Sequence, residues 1–180
     1  MDASRQQNDK PTYKVLMLGE AGVGKTALVR RYAHKLFKED YKATLGIDMT
    51  PKTISKGDSE TILLQIWDFS GQSLFGNLRS RFYAGAAGVL LIYDITQDHS
   101  FQKLERWHEE LVSNIGKVPG LVVGNKCDLA LLRQVSDSEA DQFALSLGTA
   151  HHLTSAKTGQ HVESVFSILI DKMVNSSLGS

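Results

Sequence analysis

Residues 19–26 have the composition and order of a loop that binds nucleotide phosphates. They fit the pattern G-x-x-x-x-G-K-[ST], and they follow a predicted strand and open a predicted helix. Glycines let backbone N–H groups turn toward phosphate oxygens, and the helix N-terminus adds partial positive charge. Lys25 would reach the β- and γ-phosphates, and the Thr26 hydroxyl would bind Mg²⁺. We therefore expect nucleotide contacts from Gly19, Ala21, Gly22, Val23, Gly24, Lys25, Thr26 and Ala27.

A second stretch could recognise the base: Asn125-Lys126-Cys127-Asp128. It follows a predicted buried strand, and ligands of open α/β sheets bind at the carboxyl ends of the strands. A carboxylate at position 128 can accept hydrogen bonds from both N1–H and the 2-amino group of guanine, whereas adenine offers no such pair of donors. Backbone amides after the last predicted strand could contact the same base: Ser155-Ala156-Lys157. These stretches predict a guanine nucleotide rather than an adenine nucleotide.

The motifs occur in the order and approximate spacing of the Ras superfamily of small GTPases, which the chain resembles from about Tyr13 to Met173. Thr44 and residues 68–71 belong to the same pattern. Further stretches are similar to the Rab branch in particular: Leu45-Gly46-Ile47-Asp48, Leu64-Gln65-Ile66-Trp67-Asp68, Phe82-Tyr83-Ala84-Gly85-Ala86 and Leu91-Ile92-Tyr93-Asp94-Ile95-Thr96. The resemblance implies a Rab-like molecular switch that binds GTP or GDP with Mg²⁺, hydrolyses GTP slowly and regulates membrane or vesicle trafficking through effectors.

The resemblance also implies roles for single residues. Thr44 would bind Mg²⁺ and the γ-phosphate only when GTP is present, and Asp68 would hold Mg²⁺ through water. The backbone N–H of Gly71 would meet the γ-phosphate, and Gln72 would orient the attacking water. These roles assign catalysis to Gln72, Lys25 and Gly71, and Mg²⁺ binding to Thr26, Thr44 and Asp68.

Two aromatic residues fall where this superfamily covers its nucleotide. Phe37 lies where an aromatic ring covers the guanine, and Tyr41 where a tyrosine closes over the phosphates. Ordinary packing is the alternative for both. No arginine is placed as an internal catalytic finger, so the chain alone should turn over slowly.

The second switch departs from the usual pattern. Residues 67–73 read Trp-Asp-Phe-Ser-Gly-Gln-Ser, where Rab proteins usually read Trp-Asp-Thr-Ala-Gly-Gln-Glu. The changes at Phe69, Ser70 and Ser73 leave a binding-only pseudo-GTPase as an alternative, although the retained Gln72 favours hydrolysis. A P-loop kinase is a further alternative, and the guanine-type recognition by Asp128 argues against it.

Strand and helix patterns alternate from Tyr13 onward, which predicts an α/β fold with a mostly parallel sheet, and the resemblance implies that this fold is of the Ras-like type. We expect a six-stranded, mostly parallel sheet with one antiparallel edge strand, flanked by five helices. Pro51 cannot donate to a strand ladder, so its strand should be the edge strand. Apolar stripes predict two buried helix faces: Phe101, Leu104, Trp107 and Leu111, and Val162, Val165, Phe166, Leu169 and Met173. The adjacent Arg30 and Arg31 should form a solvated face.

The bulk composition narrows the class of protein. Twenty basic residues balance twenty acidic ones, which argues against a nucleic-acid binder, and the single Cys127 indicates a reducing compartment such as the cytosol. We expect a domain over 12–174 with flexible tails at 1–11 and 175–180, and a monomer. Effectors, an exchange factor and a GTPase-activating protein would bind at the switch regions. The last residues contain no cysteine to prenylate, so attachment to the cytosolic face of a membrane would need a lipidated tail beyond this chain.

Overall fold

The computed structural model describes residues 10–38, 46–56, 60–69 and 80–178. Its strands are β1 (Thr12–Leu18), β2 (Ile47–Lys56), β3 (Glu60–Phe69), β4 (Ala86–Asp94), β5 (Gly120–Asn125) and β6 (His151–Leu153). Its α-helices are α1 (Lys25–His34), α2 (Asp98–Gln102), α3 (Leu104–Ile115), α4 (Asp137–Ser146) and α5 (Val162–Leu178). Two short 3₁₀ segments are Ser80–Phe82 and Cys127–Leu132.

All of these strands form one sheet in the order β2-β3-β1-β4-β5-β6. β2 pairs antiparallel with β3, and every other pairing is parallel. Pro51 lies on β2, which is an edge strand, as its missing N–H predicts. The expected fold class is therefore confirmed for the described part of the chain. The carboxyl ends of the parallel strands meet at one edge, where the loops after β1, β4, β5 and β6 come together.

The sheet is buried on both faces because the side chains of β1 alternate between two apolar clusters. Val15 and Met17 belong to a cluster with α1 and α5, whereas Leu16 and Leu18 belong to a cluster with α2, α3 and α4. The residues of both predicted helical stripes are buried. The first stripe, however, belongs to two helices, because the helical structure is interrupted at Lys103, between α2 and α3.

The last helix is longer than the predicted domain boundary at 174 suggests. α5 continues through Leu178, and the hydroxyls of Ser176 and Ser177 donate to the carbonyl groups of Lys172 and Met173. These side-chain bonds lie within the helix itself, and both serines are exposed. The division of the chain into a domain and two tails stays a prediction.

The unusual Phe69 is a core residue. Its side chain is fully buried in the cluster that contains Leu16 and Leu18, and its ring meets that of Tyr83 edge-on at 5.5 Å. The hydroxyl of Tyr83 in turn donates to the carboxylate of Glu110 on α3 at 3.0 Å. The extra bulk relative to threonine therefore fills the core under the sheet edge.

We expect Phe69→Thr to lower the free energy of unfolding by about 3 kcal/mol, because it removes a buried ring and leaves a cavity beside Tyr83. Urea unfolding at a fixed, saturating concentration of GDP and Mg²⁺ measures this change. Leu132→Thr is the control, since that side chain is 63% exposed. A change as small as that of the control would mean that the Phe69 ring adds nothing to the core.

Candidate functional site

The loop between β1 and α1 is shaped by glycines at two points of close contact. Gly19 has a φ of 145°, and a Cβ there would lie 2.1 Å from the carbonyl oxygen of Ile92. Gly24 has a φ of 98°, and a Cβ there would lie 2.3 Å from the side-chain nitrogen of Asn125. Any larger residue would push the loop away from the sheet edge. Between them, Ala21 is exposed, Gly22 is half-buried and Val23 is buried.

Lys25 is enclosed by this loop. Its ammonium group donates to the carbonyl oxygens of Gly19 at 2.8 Å and Glu20 at 2.7 Å, and the residue is only 6% exposed. A buried cation at the N-terminus of α1 adds its charge to that of the helix end. Ala27 packs at the rim of the core behind it. The geometry is that of a site for the phosphates of an anionic ligand.

Thr26 and Asp68 meet beside the phosphate loop. The Thr26 hydroxyl donates to Oδ2 of Asp68, while Oδ1 of the same carboxylate is buried with no hydrogen-bond partner among the described residues. Burial raises the pKa of Asp68, and the Thr26 hydrogen bond and the nearby charge of Lys25 act in the opposite direction. Uncompensated buried oxygens of this kind suit a hard cation, so the residues fit Mg²⁺.

The described residues contain no group of three or more His, Cys, Asp or Glu side chains that could hold a metal alone. Mg²⁺ at phosphate sites takes one or two protein oxygens and completes its shell with phosphate and water. Thr26 and Asp68 would hold it here.

We expect Asp68→Asn to separate stability from metal binding. The folded-state pKa of Asp68 is raised, so its ionisation destabilises the metal-free protein as pH rises above the ordinary carboxylate pKa. The substitution should therefore raise the melting temperature in EDTA at pH 7. It should also abolish the Mg²⁺ dependence of GDP release, which we expect to be about tenfold or more in the native chain.

Thermal unfolding in EDTA and release of a fluorescent GDP with and without Mg²⁺ give both results. Glu105→Gln, an exposed site on α3, removes the same charge and should change neither. An unaltered response to Mg²⁺ in Asp68→Asn would remove Asp68 from the metal site.

Asn125 joins the phosphate loop to the base stretches. It is 1% exposed, and its side-chain nitrogen donates to the carbonyl oxygen of Val23 at 2.8 Å. Its side-chain oxygen accepts from the backbone N–H of Ala156 and from the hydroxyl of Thr154, both at 3.2 Å. One buried amide thus fixes three loops relative to each other.

Lys126 is held by a residue that the sequence did not single out. Lys126 has a φ of 66°, and its ammonium nitrogen lies 2.6 Å from Oδ2 of Asp94, which is fully buried. The contact is an ion pair with a carboxylate that is out of contact with solvent. The other oxygen of Asp94 accepts from the N–H and the hydroxyl of Thr96, at 2.9 Å and 2.8 Å. The position of Asp94 at the end of a buried strand was the available signal.

Asp128 is exposed and oriented. Ser155 is fully buried, and its hydroxyl donates to Oδ1 of Asp128 at 2.5 Å and accepts from the N–H of Thr158 at 3.0 Å. A carboxylate has about four lone-pair directions, so this bond leaves capacity for two donors of a base. The structure therefore brings the base stretches together as the sequence predicts.

Phe37 lies near the turn at residues 155–158, and Arg31 contacts both of them. The Phe37 ring is half-buried, and the guanidinium carbon of Arg31 lies 5.8 Å from the ring centroid. Arg31 also donates to the carbonyl oxygens of Ala156 and Lys157, so the expectation of a solvated side chain is wrong for this residue. Arg30 is exposed, as expected. The partners of Arg31 are 125 and 126 residues away in sequence, beyond the reach of a local pattern.

Comparison with known proteins decides the family. The model of the Ras family matches residues 14–175. The chain belongs to the Ras family. Its relatives include Ras-related protein Rab-13 of Bos taurus, 37% identical over 93% of this chain and 82% of the relative. Ras-related protein Rab-32 of Homo sapiens is 34% identical over 90% of this chain and 75% of the relative.

The chain is thus a Rab-like small GTPase of the Ras family, which binds GTP and GDP with Mg²⁺, hydrolyses GTP and acts in membrane trafficking. A P-loop kinase and a binding-only protein are not favoured. Membership also implies interactions with effectors, exchange factors and GTPase-activating proteins in general. The described residues include no helix long and apolar enough to cross a membrane.

Several expected residues of this Rab-like GTPase lie outside the described residues: Tyr41, Thr44, Gly71 and Gln72. The roles given to them stay predictions. Ser70 and Ser73 lie outside the described residues as well, in the same segment as Gly71 and Gln72.

Proposed function

We propose that this Rab-like GTPase acts as a monomeric switch whose nucleotide site is built from the residues above. The observation that carries the proposal is the convergence of the phosphate loop and the two base stretches on Asn125. Asn125 links Val23 to Ala156, so phosphates and base would be held by one rigid unit. The residues assigned to nucleotide contacts are Gly19, Ala21, Gly22, Val23, Gly24, Lys25, Thr26, Ala27, Phe37, Tyr41, Thr44, Gly71, Asn125, Lys126, Asp128, Ser155, Ala156 and Lys157.

The proposed hydrolysis depends mainly on positioning. Lys25 would place its buried ammonium between the β- and γ-phosphates and stabilise the charge that develops there. Gln72 would orient a water molecule in line with the γ-phosphate, and the N–H of Gly71 would bind a γ-phosphate oxygen. Thr26, Thr44 and Asp68 would hold Mg²⁺, which would supply Lewis-acid neutralisation of the phosphates when bound. Because the sequence places no arginine as an internal catalytic finger, we expect a rate on the order of 10⁻⁴ s⁻¹ without an activating protein.

The partners we propose bind where the γ-phosphate is read. Thr44 and Gly71 would contact that phosphate only in the GTP state, so effectors, an exchange factor and a GTPase-activating protein would distinguish the two states at the surrounding segments. In the cell we propose a cytoplasmic protein, present at the cytosolic face of membranes if the full-length chain carries a lipidated tail.

The nucleotide that co-purifies with the chain tests the proposed site. Denaturation followed by chromatography should yield about one guanine nucleotide per chain, with GDP in excess because of turnover during expression. An adenine nucleotide, or none, would contradict the base assignment. GTP in excess would contradict the proposed turnover.

Gln72→Leu tests the catalytic role. We expect GTP affinity within about twofold of the native value and single-turnover hydrolysis at least about tenfold slower, because leucine cannot orient water. Hydrolysis is followed by release of phosphate from preloaded GTP over hours. Gln142→Leu, at an exposed position of α4, should keep the native rate. Equal rates in the two variants would remove Gln72 from the mechanism.

A further inference from the structure

Arg31 makes an unusual set of contacts for a surface arginine. Its Nε donates to the carbonyl oxygen of Ala156 at 2.8 Å, and its Nη2 donates to that of Lys157 at 2.5 Å. A third nitrogen, Nη1, lies 3.3 Å from the carbonyl oxygen of Lys35 at the end of α1. The planar guanidinium therefore bridges the helix that begins at the phosphate loop and the turn that would face the base.

The bonds to Ala156 and Lys157 fix the direction of peptide N–H groups. In a trans peptide unit the C=O and N–H bonds point in opposite directions. Because the Ala156 carbonyl points toward Arg31, the N–H of Lys157 points away from it. In the same way, the bond to the Lys157 carbonyl sets the direction of the N–H of Thr158. Arg31 thus orients two successive amides of the turn.

The second of these amides leads to Asp128. The N–H of Thr158 donates to the hydroxyl oxygen of Ser155 at 3.0 Å, and that hydroxyl donates to Oδ1 of Asp128 at 2.5 Å. Charge-assisted and chained hydrogen bonds polarise and order one another. An unbroken chain of bonds therefore runs from Arg31 through Thr158 and Ser155 to the carboxylate that would read the base.

Arg31 also borders the residue expected to cover the base. Its guanidinium carbon lies 5.8 Å from the ring centroid of Phe37, within the range of a cation–π contact. The bond to the Lys35 carbonyl lies two residues before that ring. One side chain therefore touches both the base-reading turn and the base-covering aromatic ring.

We propose that Arg31 is a positioning residue of the guanine site, which holds the 155–158 turn and Phe37 in their base-binding arrangement and so slows the release of nucleotide. The inference rests on the proposed function, because it assumes that Asp128 and this turn read the base. Arg31 acts through other residues and would not touch the nucleotide.

Release of a fluorescent GDP analogue from the Mg²⁺-bound full chain tests the proposal. Arg31→Gln should release it about tenfold faster or more, because both carbonyl bonds weaken at once. Arg31→Lys keeps the charge but has no planar fork, so it should also release faster than native. Arg30→Gln, at the exposed neighbouring position, removes the same charge and should release at the native rate.

Base selectivity separates positioning from a general loss of structure. Inosine diphosphate lacks the 2-amino group that Asp128 would bind, so the ratio of GDP to inosine diphosphate affinity reports the orientation of that carboxylate. Arg31→Gln should lower this ratio at least about threefold, and it should lower it no further in a Ser155→Ala background, where the last bond of the same chain is already lost. A purely structural role would weaken both nucleotides equally and leave the ratio unchanged.

The outcomes distinguish this proposal from the one on which it rests. A native chain that binds neither diphosphate would contradict the proposed function. A native chain that binds GDP tightly, with Arg31→Gln and Arg30→Gln alike in release rate and in ratio, would contradict the role of Arg31. If Arg31→Gln does not fold, Arg31→Lys decides between the same two results.

Discussion

Asp128→Asn is expected to convert a chain that prefers guanine nucleotides into one that prefers xanthine nucleotides. Asparagine replaces one acceptor oxygen with an NH₂ donor, which would face the 2-amino group of guanine, donor against donor. Xanthine carries a carbonyl oxygen at that position and keeps N1–H, so it can pair with both atoms of the asparagine side chain. Since recognition by buried polar pairs discriminates by about 10⁴-fold, we expect GDP affinity to fall at least about a thousandfold.

The structure fixes the orientation of the new amide. The Ser155 hydroxyl donates to Oδ1 of Asp128. It can donate in the same way to the carbonyl oxygen of an asparagine, but not to the NH₂ group, which is itself a donor. The amide nitrogen should therefore take the place of Oδ2. The same hydroxyl is committed on its acceptor side to the N–H of Thr158, which strengthens this choice.

Competition against a fluorescent nucleotide measures GDP and xanthosine diphosphate affinities for the native chain and the variant. Asp137→Asn is the control, because its side chain is 57% exposed on α4 and pairs with Arg133. It should keep the native preference. If Asp128→Asn kept the preference for GDP, another residue would have to read the 2-amino position.

The sequence predicts those parts of the candidate site that are contiguous in the chain. Phosphate-loop and base motifs follow predicted strands, and the parallel sheet then brings their carboxyl ends to one edge. No knowledge of tertiary contacts was needed to bring the phosphate loop and Asn125 to the same edge, because the topology alone does so. The edge position of β2 followed equally from Pro51 and the missing N–H.

The residues that the sequence missed act through contacts between distant segments. In the sequence Arg31 is one of two adjacent arginines, a pattern typical of a solvated surface. Only the fold places it against the carbonyl group of Ala156, 125 residues away. Asp94 reads as the polar end of a buried strand, and its ion pair with Lys126 needs the parallel pairing of β4 and β5. Neither contact has a signature in composition or spacing.

Phe69 is a different case, because a local signal was present. Side chains two residues apart on a strand share a face, so Phe69 lies on the face of Trp67, opposite that of Asp68 and Ile66. Phe69 and Trp67 indeed belong to one cluster, and Ile66 belongs to the other. This alternation was present in the sequence, although residues 67–73 also match a switch motif. Because Phe69 and Asp68 point to opposite faces of the sheet, the large Phe69 ring does not obstruct the contact between Asp68 and Thr26.

Lys25→Ala is expected to cause the largest loss of nucleotide binding. The native ammonium is buried and already bonded to the Gly19 and Glu20 carbonyl groups, so the loop holds it in place before phosphates arrive. Charge-assisted hydrogen bonds contribute about 1.5–3 kcal/mol each. Losing two of them, to the β- and γ-phosphates, corresponds to about 10²–10⁴-fold weaker GTP binding. GDP has no γ-phosphate, so its affinity should fall less.

Calorimetric titration of nucleotide-stripped chain with GTP and with GDP, in Mg²⁺, measures both losses. Lys117→Ala is the matched control, because Lys117 is exposed in the loop before β5, at the opposite edge of the sheet. Lys25→Arg tests whether a positive charge alone is enough. Two carbonyl oxygens close around the single ammonium group of Lys25, and the wide planar guanidinium does not fit that space. We therefore expect that arginine does not restore GTP binding. Equal losses for GTP and GDP in Lys25→Ala would mean that Lys25 supports the loop without contacting the γ-phosphate. Full rescue by arginine would reduce its role to a positive charge at the N-terminus of α1.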